Sequence, residues 1–281
     1  MSKKNKIQAG VMGWPISHSL SPRVHGFWLN EHDIDGSYEA IAVEPENISK
    51  ALRRLSDDGF AGVNITVPHK EAALACADQT DTIAQRIGAV NTIVVQPDGT
   101  LQGSNTDGFG FLENLKSGVP AYQPAQGPAV VLGAGGAARA IVVALLDAGV
   151  PEIKLLNRTR DRAEVIADQI GGSIGVDAWE KRAAVLSEAT LLVNTTTLGM
   201  NNQPSLDIDL AALPLSALVT DIVYAPLETE LLKAARQRGN QTVDGLGMLL
   251  HQARPGFASW FGVMPEVSPA LRTHVLAGIK G

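Results

Sequence analysis

The sequence predicts an α/β fold in two domains. Short apolar runs of strand length alternate with helical patterns along most of its 281 residues, which is how layered α/β chains read. That length suits about two domains. A stretch rich in Pro, Gly and Gln, Gly118–Pro128, has no periodicity and is a good linker between two series of elements. Apolar residues make up 45% of the chain, enough to bury a sizeable core.

In the first series, strands are predicted at Ile7–Met12, Tyr38–Val43, Gly62–Val67 and Asn91–Val95. Helices are predicted between them at Pro22–Glu31, Pro45–Ser56 and Pro68–Ala77. Each begins with proline, whose missing N–H costs nothing at the first helical position. In the second series come strand Val130–Leu132, helix Ala137–Ala148, strand Ile153–Leu156 and helix Arg160–Ile170. Strands at Leu191–Asn194 and Leu218–Val223 come next, and Leu246–Phe261 and Pro269–Ile279 read as helices. Periodicity does not say which domain these last two join.

Composition excludes several classes of function. The formal charge of −6 argues against a nucleic-acid or anionic-membrane partner. It leaves room for a small anionic substrate, which needs only a few local cations. The one cysteine, Cys76, cannot form an internal disulfide and is expected to be a buried structural thiol. No apolar run reaches membrane-spanning length. Lys3, Lys4 and Lys6 are not succeeded by an apolar core, because Gln8, Gly10, Gly13 and Pro15 interrupt that segment. A cytoplasmic protein is expected. No metal site is expected, and a homodimer is the assembly to test.

Gly133-Ala134-Gly135-Gly136-Ala137-Ala138 fits the G-x-G-x-x-G/A dinucleotide fingerprint. It comes after a predicted strand and opens a predicted helix, the context in which the motif carries meaning. Glycines there permit a tight turn and close approach to a pyrophosphate, while the helix N-terminus offers N–H groups and a positive dipole end. Sites for NAD place an acid about 20 positions further on. Here that place reads Asn157-Arg158-Thr159-Arg160-Asp161-Arg162. Arg158 and Arg162 can clamp a 2′-phosphate, and Thr159 can add a hydroxyl. NADP is therefore the expected cofactor. A solvated basic helix start is the plainer account, but arginines there oppose the helix dipole.

The first half carries polar groups near predicted strand ends. Ser17-His18-Ser19-Leu20-Ser21-Pro22 offers hydroxyls just before a helix, suited to a carboxylate, although Ser21 could serve only as the helix cap. Asn64-Ile65-Thr66-Val67-Pro68-His69-Lys70 runs off a strand into a helix. Lys70 falls in the first turn, where the dipole disfavours an ammonium ion, so it could exchange a proton at a carbonyl or hydroxyl. An ordinary surface lysine is its plainer reading, and His69 is expected to pack rather than to catalyse. Gly88-Ala89-Val90-Asn91-Thr92 supplies an amide, and Ser104-Asn105-Thr106-Asp107-Gly108 a carboxylate at a helix start. Asp107 alone would be a cap; with Lys70 it could form an ion pair that accepts a substrate hydroxyl.

SHSLSP, NITVPHK, GAVNT, NTDG, GAGGAAR, NRT and DGLGMLLHQ occur in the order and spacing of shikimate dehydrogenases, from about Ala9 to Phe261. The chain resembles that family over nearly its whole length. The resemblance implies reversible reduction of 3-dehydroshikimate to shikimate with NADPH, in aromatic amino acid biosynthesis. It implies an N-terminal α/β substrate domain, a Rossmann-like NADP domain, and C-terminal helices that return to the first. Boundaries would be 1–108 plus 246–281 for the substrate domain and 109–245 for the nucleotide domain.

The resemblance also implies roles. Lys70 and Asp107 would be the catalytic pair. Ser19 and Ser21 would bind the substrate carboxylate. Thr66, Asn91, Asp107 and Gln252 would bind ring hydroxyls with Lys70, and Tyr224 would approach the substrate. Gly133, Ala134, Gly135, Gly136 and Ala137 would cradle the pyrophosphate. Asn157, Arg158, Thr159 and Arg162 would hold the adenosine phosphate, with Ile222 and Gly245 beside the nicotinamide. His69 stands where many members have Phe or Tyr, and Ile222 where Met is frequent; neither departure removes a needed group. Quinate-using relatives often carry Thr for the second serine and an acid in the adenosine loop. A quinate or NAD preference is the first alternative, and a non-catalytic shikimate and nucleotide sensor the second.

Overall fold

The computed structural model describes residues 6–279, so Lys3 and Lys4 lie outside the described residues. The chain divides into two compact units. One holds the described residues up to Thr106 and those from Leu249 onward; the other is Asp107–Met248.

The first unit runs β1 (Ile7–Gly13), α1 (Ser21–Glu31), β2 (Gly36–Ala42), α2 (Ile48–Arg53), β3 (Phe60–Ile65) and α3 (Lys70–Cys76). It continues with β4 (Gln79–Thr80), α4 (Thr82–Ile87), β5 (Thr92–Val95) and β6 (Leu101–Ser104). The strands form one sheet in the order β2-β1-β3-β5-β6-β4. β1 lies parallel to β2 and β3, whereas β5 runs antiparallel to β3 and β6. Met12, Val63, Ile65 and Ile93 from the strands pack with Leu52 of α2 and Ala84 of α4.

Three local predictions are corrected here. The helix expected from Pro68 begins at Lys70, because His69 N donates to Thr66 O at 2.9 Å and closes a turn around the cis Val67–Pro68 bond. Pro68 is thus a turn residue, not a helix opener. Cys76 is only half-buried, since α3 buries Ala73 instead; its Sγ lies 3.0 Å from Ser49 Oγ. The segment expected as one helix from Pro45 is a 3-10 turn followed by the short α2.

The second unit begins with α5 (Asp107–Gly118) and continues β7 (Ala129–Leu132), α6 (Gly136–Asp147), β8 (Ile153–Leu156) and α7 (Arg160–Ile170). β9 (Ile174–Asp177), β10 (Leu191–Asn194), β11 (Leu218–Asp221), α8 (Glu230–Arg238) and β12 (Thr242–Val243) complete it. Its sheet is wholly parallel, in the order β12-β11-β10-β7-β8-β9. That is the doubly wound dinucleotide-binding order, and it reverses between β7 and β10. β7 and β10 are buried along their whole length, as strands covered on both faces must be.

The Gly118–Pro128 stretch is not a linker. It lies inside the second unit. A Cβ on Gly118 would sit 2.7 Å from Val243, and Val119 is buried. Burial pushes the Tyr122 hydroxyl up to about 12. Proline and glycine there turn the chain under α5 rather than separating domains.

α9 (Leu246–Phe261) and α10 (Pro269–Leu276) come last, and the division between units falls inside α9 after Met248. The rest of α9 packs on the first sheet. Trp260 Nε1 donates to Ile93 O at 3.0 Å, and only a glycine at Gly62 leaves room for that indole. Trp28 Nε1 donates to Glu266 O at 3.0 Å. The C-terminal helices therefore return to the first unit, as the resemblance implies.

His25 lies inside this aromatic packing. Its ring stacks on Tyr38 with centroids 3.8 Å apart and planes 2° from parallel, beside Trp28, Phe257 and Trp260. It is fully buried, and neither ring nitrogen makes a hydrogen bond of good geometry. Burial lowers its pKa to about 3, with nearby Asn64 offsetting part of the effect. An unfolded histidine titrates near 6.5. Below that pH the unfolded chain takes up a proton that the folded chain refuses. Stability is expected to fall by up to about 1.4 kcal/mol per pH unit as pH drops through that window. His25→Phe should flatten the slope in urea unfolding measured across it; equal slopes would show that the ring protonates in place.

Candidate active site

The second unit presents the open ends of β7 and β10. Gly133 has φ +111°, and a Cβ there would lie 2.4 Å from Thr195 Oγ1. Thr195 Oγ1 donates to Leu132 O at 2.7 Å, so the two strand exits are tied together. Gly135 and Gly136 are different. Both are exposed, and a Cβ on either would meet nothing within 4 Å. Packing does not demand those glycines, and open space lies above them. Gly135 caps α6 with no side-chain bond, so the first N–H groups of a 12-residue helix stay available to an anion. Ala134 and Ala137 are half-buried beside them.

The loop after β8 carries the cations. Asn157 Nδ2 donates to Thr159 O at 2.7 Å and shapes the turn. Thr159 occupies the N-cap of α7 without making a side-chain capping bond. Arg160 pairs with Glu164 at 2.8 Å. Arg158 and Arg162 are exposed and form no ion pair among the described residues. An uncapped helix N-terminus with space above it, and two uncommitted guanidinium groups one turn of sequence apart, fit a dinucleotide with a phosphorylated ribose.

In the first unit a hydrogen-bonded set surrounds Asn91. Its Oδ1 accepts from Thr106 N at 2.9 Å and from Thr92 Oγ1 at 2.9 Å. Its Nδ2 reaches Thr106 Oγ1 at 3.0 Å and Gln252 Oε1 at 3.5 Å. Thr106 Oγ1 also donates to Gln252 O at 2.8 Å, which fixes this part of α9 beside β5. Asn64 and Tyr38 extend the set: Tyr38 donates to Asn64 Oδ1 at 2.6 Å, and Asn64 Nδ2 to Thr92 Oγ1 at 3.1 Å. Lys70 is the first residue of α3 and half-buried, and Lys70 O holds Val90 N at 2.9 Å beside Asn91. Thr66 leaves β3 with its methyl against Gly13. Asp107 comes directly after Thr106 and opens α5, with its side chain buried.

Ser21 is not the cap of α1. Leu20 is, without a side-chain bond, and Ser21 lies inside the helix and buried. Its N–H donates to Ser19 Oγ at 3.3 Å, so Ser19, not Ser21, serves the helix start. His69 packs as expected: it is buried, with Nε2 2.8 Å from Val43 O.

Models of two known domains match this chain: the shikimate dehydrogenase substrate-binding domain over residues 11–93, and shikimate/quinate 5-dehydrogenase over residues 121–201. The shikimate dehydrogenase (NADP(+)) of Paramagnetospirillum magneticum is 59% identical over 99% of this chain and 100% of its own length. This chain belongs to the shikimate dehydrogenase family. Two solved structures are also similar. Shikimate 5-dehydrogenase of Thermus thermophilus, in complex with NADP(H) and shikimate, is 40% identical with a TM-score of 0.86, over 97% of this chain and 99% of its own. Quinate dehydrogenase of Corynebacterium glutamicum, in complex with NAD, is 32% identical with a TM-score of 0.90, over 97% and 99%.

Sequence reasoning missed one group of residues in this member of the family. Asn194 and Asp221 end adjacent parallel strands and are wholly buried. Asn194 Nδ2 donates to Asp221 Oδ1 at 3.0 Å and to Oδ2 at 3.1 Å. Burial raises the Asp221 carboxyl above the usual carboxylate range, opposed by hydrogen bonds from Val223, Asn194 and Thr229. The available signal was a polar residue closing each of two apolar strand runs, at the end of the sheet where ligands bind. Ile222 and Tyr224 lie just beyond Asp221 and are half-buried; burial also raises the Tyr224 hydroxyl. Gly245 is buried against Ile222 O, where a Cβ would come within 2.3 Å.

Gly133→Ala should disturb this arrangement twice, through its positive φ and through Thr195. The expected loss of stability is about 1–3 kcal/mol, with weaker nucleotide binding. Gly135→Ala, with open space and no positive φ, should cost well under that. Thermal unfolding of the two variants checks the difference, and equal losses would contradict it.

Proposed function

We propose that this chain reversibly reduces 3-dehydroshikimate to shikimate with NADPH, in the route to aromatic amino acids, and that it works in the cytoplasm as a homodimer. The observation that carries the reaction is that one chain of this family keeps every group it needs. Lys70 and Asp107 supply the polar chemistry, the Asn91–Thr106–Gln252 set supplies hydroxyl partners, and an uncapped helix start lies on the same unit as two uncommitted arginines.

Gly133, Ala134, Gly135, Gly136 and Ala137 would hold the nucleotide by its pyrophosphate. Asn157 and Thr159 would shape the adenosine side, and Arg158 and Arg162 would take the 2′-phosphate. When bound, NADPH supplies a hydride to the ketone carbon. Lys70 gives a proton to the ketone oxygen in reduction and takes it back in oxidation. Asp107 orients Lys70 and the neighbouring hydroxyl. Ser19 and Ser21 bind the carboxylate, while Thr66, Asn91 and Gln252 bind the ring hydroxyls. Asn91 Oδ1 already accepts from Thr106 and Thr92, so its orientation is set before substrate arrives. Tyr224 would approach the substrate, and Ile222 and Gly245 would lie beside the nicotinamide.

Lys70→Ala is expected to lose roughly 10²–10⁴-fold in kcat while keeping part of its affinity for shikimate. Near-normal turnover would remove Lys70 from the mechanism. Arg158→Ala should raise the KM for NADP by about ten- to a hundredfold, the effect of losing one charge-assisted hydrogen bond, with the KM for NAD little changed. Rates with shikimate and quinate, each with NADP and NAD, then decide the assignment. Preference for quinate or NAD would move the chain to the quinate branch, and no turnover in any pair would make it a sensor. Sedimentation at several concentrations tests the homodimer.

A further inference from the structure

The exits of β10 and β11 are held by one buried polar cluster that the proposed reaction does not use. Asp221 accepts from Asn194 Nδ2, from Val223 N at 3.0 Å and from Thr229 Oγ1 at 2.9 Å. Thr229 caps α8 by accepting from Leu232 N at 3.4 Å, so its hydroxyl proton is directed to Asp221. Asn194 cannot turn its amide round. Its Oδ1 accepts from Thr196 N at 3.1 Å and Thr196 Oγ1 at 2.7 Å, which leaves Nδ2 for Asp221 and for Leu198 O at 3.1 Å. Every group facing Asp221 is therefore a donor. No cation pairs with it among the described residues.

We infer that Asp221 is a positioning residue for the nicotinamide-side wall, pinning both ends of the segment that carries Ile222 and Tyr224. Val223 holds the start of that segment and Thr229 its end, both on one carboxylate. Ile222 N donates to Asn194 O at 3.1 Å, and the lack of a Cβ on Gly245 lets the Ile222 carbonyl lie close against it. Asn201 N donates to Ala225 O at 2.9 Å and holds the middle. A buried carboxylate is costly, and an asparagine of the same shape would avoid its charge. Only the carboxylate gives two acceptor oxygens to donors on three different segments. An asparagine would set an N–H against the Asn194 amide or the Thr229 hydroxyl. Asp221 is wholly buried, so its role is exerted through the wall.

The inference rests on the proposed placement of Ile222 and Tyr224, so the experiment tests both. NADPH binding is measured by fluorescence titration and 2′,5′-ADP binding by calorimetry, on full-length protein. The second ligand carries the adenosine half alone. Asp221→Asn should weaken NADPH about tenfold and 2′,5′-ADP less than about twofold, the scale of one disrupted buried hydrogen-bond set. Thr229→Val, which removes one donor, should act in the same direction with a smaller effect. Ile222→Ala tests the wall itself and should weaken NADPH alone. Equal weakening of both ligands by Asp221→Asn would make Asp221 a general support and overturn the inference, as would failure of both Asp221→Asn and Thr229→Val to fold. If Ile222→Ala weakens NADPH and Asp221→Asn does not, the wall stands and the positioning role falls. If Ile222→Ala changes neither ligand, the wall assignment itself is wrong, and the inference falls with it.

Discussion

In the Asp107–Met248 unit the sheet reverses its order between β7 and β10, and what those strands do when they stop governs the rest. Parallel strands bury side chains on both faces, then must release a polar backbone at one end. β7 does so through Gly133, whose backbone passes against Thr195. β10 and β11 end on Asn194 and Asp221, whose side chains take up the N–H groups of Thr196 and Val223. The strand ends are thereby satisfied by the protein. The start of α6 is not, since Gly135 offers no capping oxygen. The contrast leaves one terminus with N–H groups open to an anion and its neighbours as scaffolding.

The first unit solves a related problem with side chains. Its sheet changes from parallel to antiparallel pairing at β5, so β3 and β5 place Asn64 and Thr92 opposite each other. These, with Tyr38, Asn91 and Thr106, form one connected set in which most members have both donors and acceptors matched. A connected buried network holds its amides in one orientation at little further entropic cost when a ligand binds. Packing from Trp28, Phe257 and Trp260 surrounds His25, and that burial lowers its pKa, which disfavours a charge on the ring.

The parallel strands of the second unit were the most legible elements, because a run buried on both faces is continuously apolar and ends sharply. Val130–Leu132 and Leu191–Asn194 are recovered almost residue for residue. The four-residue β6 and β9 and the two-residue β4 and β12 have no counterpart in the predicted strands: β9 is only half-buried, and the others show too few residues for any period. Gly118–Pro128 misled for a different reason: proline and glycine mark a turn in the backbone, and composition does not say whether the chain turns within a unit or leaves it. At the candidate site, the fingerprint and the arginines were visible because unusual residue types stand there in open positions. Capping was the plainer alternative for Ser21 because its neighbour is Pro22, but α1 starts at Ser21 itself, one residue before that proline. Asn194 reads as an ordinary strand end and Asp221 as part of the Leu218–Val223 run; their meaning lies in pairing across a gap of sequence that no local pattern spans.

The arginines after β8 show how structure separates residues that the sequence groups. Three of them lie within five positions, in a protein whose net charge is −6. Two, Arg160 and Arg162, occupy the first turn of α7, where the helix dipole disfavours a cation by about 0.3–1 kcal/mol. Arg160 is compensated by Glu164, one turn along the helix. Arg162 has no such partner among the described residues, and Arg158 lies outside the helix in the turn shaped by Asn157. A helix stabilised for its own sake would not keep the uncompensated charge. On the proposed assignment, the 2′-phosphate of the nucleotide would supply the missing partner. Screening limits that attraction to about 8 Å at physiological salt, so the net negative charge of the chain does not oppose it.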